Sequence, residues 1–256
     1  VIHKTAVIDN KAKLGKNVKV GPFSVIGPNV EIGDDNEIAS HVVITGRTQI
    51  GHHNRFYPFS CIGEAPQDLK YADEDTRLVI GDYNLFRENT TLHRGTVQDK
   101  GVTTLGNHIL MMANSHVAHD CVLGNHVILT NCAAIGGHVV IEDYVICGAM
   151  VAVRQFCHLG QHSFLTRGAL VAKDVLPYTV IGGTDARVDG LNLVGLKRRG
   201  FSELEINAIK KAYKIIFLHG LIVEDAIAQL MPLAKEFSVI QPMIDGLLHS
   251  ERGITR

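Results

Sequence analysis

The sequence predicts a mainly β chain: a parallel β-helix of hexapeptide repeats with a small C-terminal α-helical cap. Three observations carry that expectation. From residue 2 to about 177 an apolar, mostly aliphatic residue recurs at every sixth position, often with glycine behind it. Such a period fits neither a helix face nor a lone strand, but it does fit a solenoid. It is interrupted in only two places, and after about residue 191 it gives way to a helical pattern.

The run opens with Leu14-Gly15, Val20-Gly21, Ile26-Gly27, Ile32-Gly33, Ile38, Ile44, Ile50-Gly51, Phe56 and Ile62-Gly63. Each hexad supplies one short strand and one turn, so three hexads make a triangular coil of about eighteen residues. The sixth-position side chains point inward and stack on their counterparts one coil away, which makes the core. Glycine behind them suits a corner where a side chain would crowd the turn or where φ must be positive.

The first interruption lies between Ile62 and Ile80, where the middle is acidic and polar, Asp68-Leu69-Lys70-Tyr71-Ala72-Asp73-Glu74-Asp75-Thr76-Arg77. The period then resumes at Ile80-Gly81, Phe86 and Leu92. Between Leu92 and Leu105 the phase slips by one residue, so residues 98–104 are expected to be extruded. Excursions from a solenoid map to loops on one face, often the binding face, although a tolerated insertion leaves the same trace. The last stretch runs through Leu105-Gly106, Met111, Val117, Leu123-Gly124, Leu129, Ile135-Gly136, Ile141, Cys147, Val153, Leu159-Gly160, Leu165 and Val171.

The period is expected to vanish after Pro177. Ser202-Glu203-Leu204-Glu205 is a capping box, followed by Ile206, Ile209, Ala212, Tyr213 and Ile216 on one helical face. His219-Gly220 ends that helix; a second is expected over 223–237 and a third over 238–249. The expected division is a β-helix over 1–190 and a helical unit over 191–256 that covers the open end of the solenoid. Lys197-Arg198-Arg199, Lys210-Lys211 and Lys214 make that unit locally basic. A solvated helix surface gives such a cluster as readily as a docking patch for an acidic partner or phosphate.

Composition narrows the function. Net charge is −1 over 256 residues, which gives no electrostatic case for nucleic acid. Cys61, Cys121, Cys132, Cys147 and Cys157 have no paired short spacing and read as reduced, mostly packed thiols. With no signal peptide and no apolar stretch of spanning length, a cytoplasmic protein without membrane insertion is expected. Val1 is not an initiator residue, so a residue or more is expected to be missing ahead of it.

The chain has fourteen histidines, and several recur at fixed phases of the repeat. In His116-Val117-Ala118-His119-Asp120, His119 lies eighteen residues before Gly137, so the two should stack about 4.8 Å apart. By the same count Asp120 stacks on His138. An imidazole, a carboxylate, a second imidazole and a glycine amide in one patch suit acyl transfer. The imidazole takes a hydroxyl proton, the carboxylate holds its tautomer, and the amide stabilises an oxyanion. No Ser or Cys stands beside them as a covalent nucleophile, so direct attack by the acceptor hydroxyl is expected. Two readings compete: histidines that only line a subunit interface, and a zinc site of the kind found in carbonic anhydrase-like solenoids.

Several motifs lie outside the generic repeat: Ile62-Gly63-Glu64, Gln67-Asp68-Leu69-Lys70-Tyr71, Leu92-His93-Arg94-Gly95-Thr96, His116 to Cys121, and Gly195-Leu196-Lys197-Arg198-Arg199-Gly200-Phe201. In these the chain resembles the UDP-N-acetylglucosamine O-acyltransferases of lipid A biosynthesis, from the first hexad to the final helix. The resemblance implies a left-handed β-helix, a homotrimer with sites between solenoids, and no cofactor or metal. It implies transfer of an R-3-hydroxyacyl chain from acyl carrier protein to the 3-hydroxyl of UDP-N-acetylglucosamine. Carried over by position, it makes His119 the general base, Asp120 its support and Gly137 the oxyanion donor. It places Asp68, Lys70, His93, His116 and His138 at the sugar and its acyl group, and Gln155, Asn192 and Arg198 near the acyl chain or nucleotide. Phe164 and Arg167 match the hydrocarbon ruler, and the basic cap faces an acidic carrier protein.

Three departures from the family pattern stand out. Arg154 occupies a frequent histidine position, and Val194 a frequent acidic one in the nucleotide segment. Arg167 is large where relatives carry glycine or another ruler residue, which should shorten the accepted chain unless it swings to solvent. The N-acyltransferase acting later in the pathway carries a domain before its solenoid and lacks the segment from Gly195 to Phe201. An acetyl-CoA-dependent hexapeptide transferase, a transferase for a 3-amino sugar and a non-catalytic binding solenoid also share this scaffold and compete with the O-acyltransferase reading.

Overall fold

The computed structural model describes residues 1–256. Short strands wind into a three-faced prism. Face 1 begins at Val7–Ile8 and has nine strands, face 2 begins at Lys13–Leu14 and has eight, and face 3 begins at Lys19–Val20 and has ten. Pairing is parallel except at the last strand of face 3, and it advances eighteen residues per regular coil, as in Val7 on Val25 and Lys19 on Glu37. The sixth-position residues fill the interior: Ile26, Ile44, Ile62, Leu92, Val117, Ile135, Val153 and Val171 form one buried column. Burying each such side chain is worth about 1.5–3 kcal/mol, and the column repeats on all three faces.

At the corners, the glycine behind the aliphatic is there for space and, except at Gly63, not for φ. A Cβ on Gly33 would sit 2.5 Å from the Gly51 carbonyl oxygen, and one on Gly51 2.7 Å from that of Gly81. Positive φ falls two residues later, at Asn17, Phe23, Asp35, His41 and their equivalents. An ordinary side chain held there costs about 1–2 kcal/mol. Columns of rings recover part of that cost by stacking. Along the edge between faces 2 and 3, His53, Tyr83, His108, His126, Tyr144 and His162 stack with centroids 4.6–5.1 Å apart. Four of the fourteen histidines thus serve the scaffold.

Both interruptions leave the edge between faces 1 and 2, in successive coils. The expected limits shift by a few residues. Arg77–Ile80 is already a strand and the first loop spans 65–76; Val102–Leu105 is a strand and the second spans 94–101. The reason is pairing: Arg77 to Ile80 lie on Val102 to Leu105 in register, with Thr103 fully buried. Arg94 fastens the loops together, donating to the Gly63 carbonyl at 2.6 Å and the Tyr71 hydroxyl at 2.8 Å.

Pro177 does not end the sheet. Thr179–Gly182 adds a strand to face 3, and Arg187–Leu191 turns back antiparallel on it. Helices follow: α1 (Leu193–Arg198), α2 (Glu203–Phe217), α3 (Val223–Glu236) and α4 (Gln241–Leu248), the last preceded by a 3-10 turn at Ser238–Ile240. The short α1 lay hidden in the helical pattern expected after 191. The capping box is present, with Ser202 and Glu205 each bonding the other's backbone N–H. A second core joins Leu176 and Tyr178 to Leu196, Ile209, Leu230 and Ile244, so the helices sit on the end of the prism. No helix is long and apolar enough to cross a membrane.

Candidate active site

The site lies on the edge between faces 1 and 2, where coil stacking and the two loops meet. His119 follows the strand His116–Val117, and its carbonyl accepts the His138 N–H at 2.9 Å, fixing the stack predicted from an eighteen-residue count. Its Nδ1 lies 2.9 Å from Asp120 Oδ2. Asp120 is fully committed to this geometry: the Thr96 N–H donates to both its oxygens and the Thr96 hydroxyl to Oδ2 at 2.6 Å. Burial raises the Asp120 pKa, but the bonds from His119 and Thr96 outweigh it, and the carboxyl stays below its ordinary value. An ionised Asp120 accepts from Nδ1–H, so Nε2 of His119 carries the free lone pair.

Gly137 sits against that imidazole. A Cβ on it would lie 2.6 Å from Cε1 and 2.7 Å from Nε2 of His119. Its N–H makes no hydrogen bond within the chain. On the edge between faces 2 and 3 the equivalent N–H groups are accepted by side chains of the coil above, as His52 by Asp82 and Asn107 by Asn125. No such acceptor stands over Gly137, which leaves the amide of this buried glycine unpaired beside His119.

His138 packs edge-on to His119 with centroids 4.9 Å apart and stacks on Phe156 at 4.3 Å. Asp99 holds its Nδ1 at 2.8 Å. On the adjoining face 1, His116 Nδ1 meets the Thr91 hydroxyl at 2.7 Å, and His93 packs edge-on to His116 at 4.8 Å. Burial, with His116, His119 and Arg94 nearby, pushes His93 down to about 4, and burial also lowers His116. Both are neutral near pH 7. Gln155 stands exposed one coil above Gly137.

The other expected residues are spread over several edges of the prism. Asp68 and Lys70 lie on the first loop with local bonding, Asp68 Oδ1 accepting the Lys70 N–H at 2.9 Å, and Leu69 between them is wholly exposed. Asn192 caps α1 and donates to the His162 carbonyl, so Asn192 and Arg198 belong to the edge between faces 2 and 3. Phe164 is on face 3, and Arg167 is exposed at the edge between faces 3 and 1. Val194 and Arg154 are also exposed. Thr96 and Asp99 also bond into this cluster, to Asp120 and His138, and the repeat does not point to either. Both fall inside the second phase break, and Thr96 also closes the Leu92-to-Thr96 motif.

The ligand atoms of His119, Asp120 and His138 lie within 4.8 Å of one another. Of these three donors only Asp120 is fully engaged, both its oxygens accepting hydrogen bonds, while each imidazole uses Nδ1 alone. Three of the five cysteines are buried as poor nucleophiles. Burial pushes the Cys121 and Cys147 thiols up to about 12 and that of Cys157 to about 11.

A hexapeptide coil carrying an imidazole, a buried carboxylate and an unpaired amide fits a hexapeptide-repeat acyltransferase. Bacterial transferase hexapeptide repeats match residues 11–46, and domain 2 of UDP-N-acetylglucosamine O-acyltransferase matches residues 174–255. The acyl-[acyl-carrier-protein]–UDP-N-acetylglucosamine O-acyltransferase of Stutzerimonas stutzeri is 48% identical over 256 residues, covering 100% of this chain and 99% of that one. The Pseudomonas entomophila enzyme of the same name is 47% identical over 255 residues, with the same coverage. The crystal structure of the UDP-N-acetylglucosamine O-acyltransferase from Moraxella catarrhalis superposes with a TM-score of 0.98 at 42% identity, covering 100% of this chain and 99% of that one. The Francisella novicida UDP-N-acetylglucosamine acyltransferase gives 0.98 at 41%, covering 100% and 94%. The chain belongs to the acyl-[acyl-carrier-protein]–UDP-N-acetylglucosamine O-acyltransferase family, and its coil is the left-handed parallel β-helix expected from the sequence.

Proposed function

We propose that this chain transfers an R-3-hydroxyacyl group from acyl carrier protein to the 3-hydroxyl of UDP-N-acetylglucosamine, the first step of lipid A biosynthesis. The observation that carries the reading is the His119–Asp120 pair with its free Nε2 packed against Gly137, whose N–H is unpaired. Nε2 takes the proton of the acceptor hydroxyl as its oxygen attacks the thioester carbonyl. The tetrahedral oxyanion receives the Gly137 N–H. Collapse breaks the C–S bond, and the imidazolium returns its proton to the departing thiolate.

The remaining roles follow from placement. His116, His138 and Gln155 border the base and hold the sugar and acyl group. Above His116, face 1 presents Ala134, Ala152 and Leu170, a small apolar strip leading toward Arg167. That strip suits a hydrocarbon chain, with Arg167 and Phe164 limiting its length. Asn192, Arg198 and the other basic residues of the cap lie on a different edge of the prism. They serve the nucleotide and the acidic carrier protein when a neighbouring copy of a homotrimer brings that edge to His119. Five free thiols accord with a cytoplasmic enzyme.

The test is acyl transfer from 3-hydroxyacyl carrier protein to UDP-N-acetylglucosamine by the purified chain, with His119→Ala beside it. Loss of the base should lower kcat by about 10²–10⁴ with the fold retained. Full activity in that variant would overturn the mechanism. A 3-amino sugar nucleotide and acetyl-CoA, offered in parallel, decide between acceptors and donors.

A further inference from the structure

The second loop does more than close a phase break. Residues 94–101 send Thr96 to Asp120 and Asp99 to His138, so one short loop supplies a partner to each half of the histidine pair. The contacts are of different kinds. Thr96 is fully buried and supports a carboxylate that already belongs to the base. Asp99 is a second carboxylate, brought by the loop from 39 residues away to an imidazole that has none of its own. Asp120 stands 3.9 Å from His138 Nδ1, too far to serve it.

We propose that Asp99 is a positioning residue: by accepting from Nδ1–H it fixes the tautomer and rotation of His138, so that Nε2 of that ring accepts a hydroxyl of the bound substrate. The claim rests on the proposed function for the identity of that substrate. Geometry leaves the ring little other freedom. Phe156 stacks on one face at 4.3 Å, nearly parallel, and Arg252 of the C-terminal segment stands over the Phe156 ring. His119 meets the ring at 88°. Stacking restrains the ring plane but permits a half-turn flip that swaps Nδ1 with Cδ2 and Nε2 with Cε1; the Asp99 bond fixes which edge carries Nδ1. A hydrogen-bonded carboxylate is what sets a histidine tautomer. The ring is mostly buried at 12% side-chain exposure, whereas Asp99 at 35% remains within reach of solvent.

The experiment compares Asp99→Ala with the wild type in two measurements. In ¹⁵N-histidine NMR at pH 8, His138 should carry its proton on Nδ1 in the wild type. In Asp99→Ala the proton should move largely to Nε2. In acyl transfer, Asp99→Ala should raise the KM for UDP-N-acetylglucosamine about tenfold, the loss of one substrate hydrogen bond. Its kcat should stay within about threefold of wild type, unlike that of His119→Ala. A wild-type His138 protonated on Nε2, or an unchanged tautomer in Asp99→Ala, would overturn the proposal. The NMR arm decides the role of Asp99 even if the wild type fails to acylate this sugar nucleotide, so the two failures are separable.

Discussion

Gly137→Ala tests the site with a single methyl group. The backbone at Gly137 is not in the positive-φ region, so alanine meets no conformational penalty there. Space is the obstacle. The new Cβ would lie 2.6 Å from Cε1, 2.7 Å from Nε2 and 3.1 Å from Nδ1 of His119, where ordinary contact needs 3.4–4 Å. The imidazole must retreat by roughly 1 Å, and it has nowhere to go without loss: Asp120 holds Nδ1 at 2.9 Å and His138 closes the other side. Breaking a charge-assisted hydrogen bond costs about 1.5–3 kcal/mol, and a 1 Å misplacement of a reacting group about 10²-fold in rate. The expected fall in kcat/KM is therefore about 10²–10³, with overpacking costing a further 1–3 kcal/mol of stability.

The assay is acyl transfer by Gly137→Ala, His119→Ala and the double variant. Because alanine keeps the N–H, the oxyanion donor survives and the injury passes through the base. The double variant should then be little worse than His119→Ala alone. A Gly137→Ala enzyme above half of wild-type activity, or strictly additive losses in the double variant, would refute the argument that this glycine exists to admit the imidazole.

Three further outcomes are expected. Thr96→Val removes a hydroxyl from the Asp120 carboxylate while its N–H remains, so kcat should fall about tenfold and the acid limb of the pH–rate profile should move upward, because Asp120 loses a bond that holds it ionised. His93, held down to about 4 in the folded chain against 6.5 in the unfolded one, binds its proton only on unfolding over that window. Stability should drop by about 2–3 kcal/mol as pH falls from 6.5 to 4, and His93→Gln should flatten that slope in urea titrations. Arg167→Gly should shift preference toward longer 3-hydroxyacyl carrier proteins in a competition assay; an unchanged preference would remove Arg167 from the ruler.

Most of the fold was legible because a solenoid repeats one local rule. Each sixth-position residue from Val20 to Val171 is buried, and the offset of eighteen by itself puts Gly137 against His119 and His138 against Asp120. The same arithmetic misjudges the corners, since glycine's crowding and positive φ fall on different residues of one turn and only the structure separates them. It also misses the strand at Thr179–Gly182, which joins face 3 at an offset of sixteen.

Thr96 and Asp99 lie beyond it for a related reason. A repeat predicts contacts only between residues that keep its phase, and a loop that leaves the phase can return a side chain to any coil within its reach. Loop 94–101 leaves after His93 and reaches Asp120 and His138, 24 and 39 residues on from its two contributing residues. The loops therefore mark where the sequence stops specifying neighbours by counting. They also supply the groups that make one histidine of fourteen a base. The ladder histidines at 53, 108, 126 and 162 have the same stacking and the same turn geometry as His138. What sets His119 and His138 apart is that each has a carboxylate within 3 Å of Nδ1, and that both carboxylates depend on the second loop.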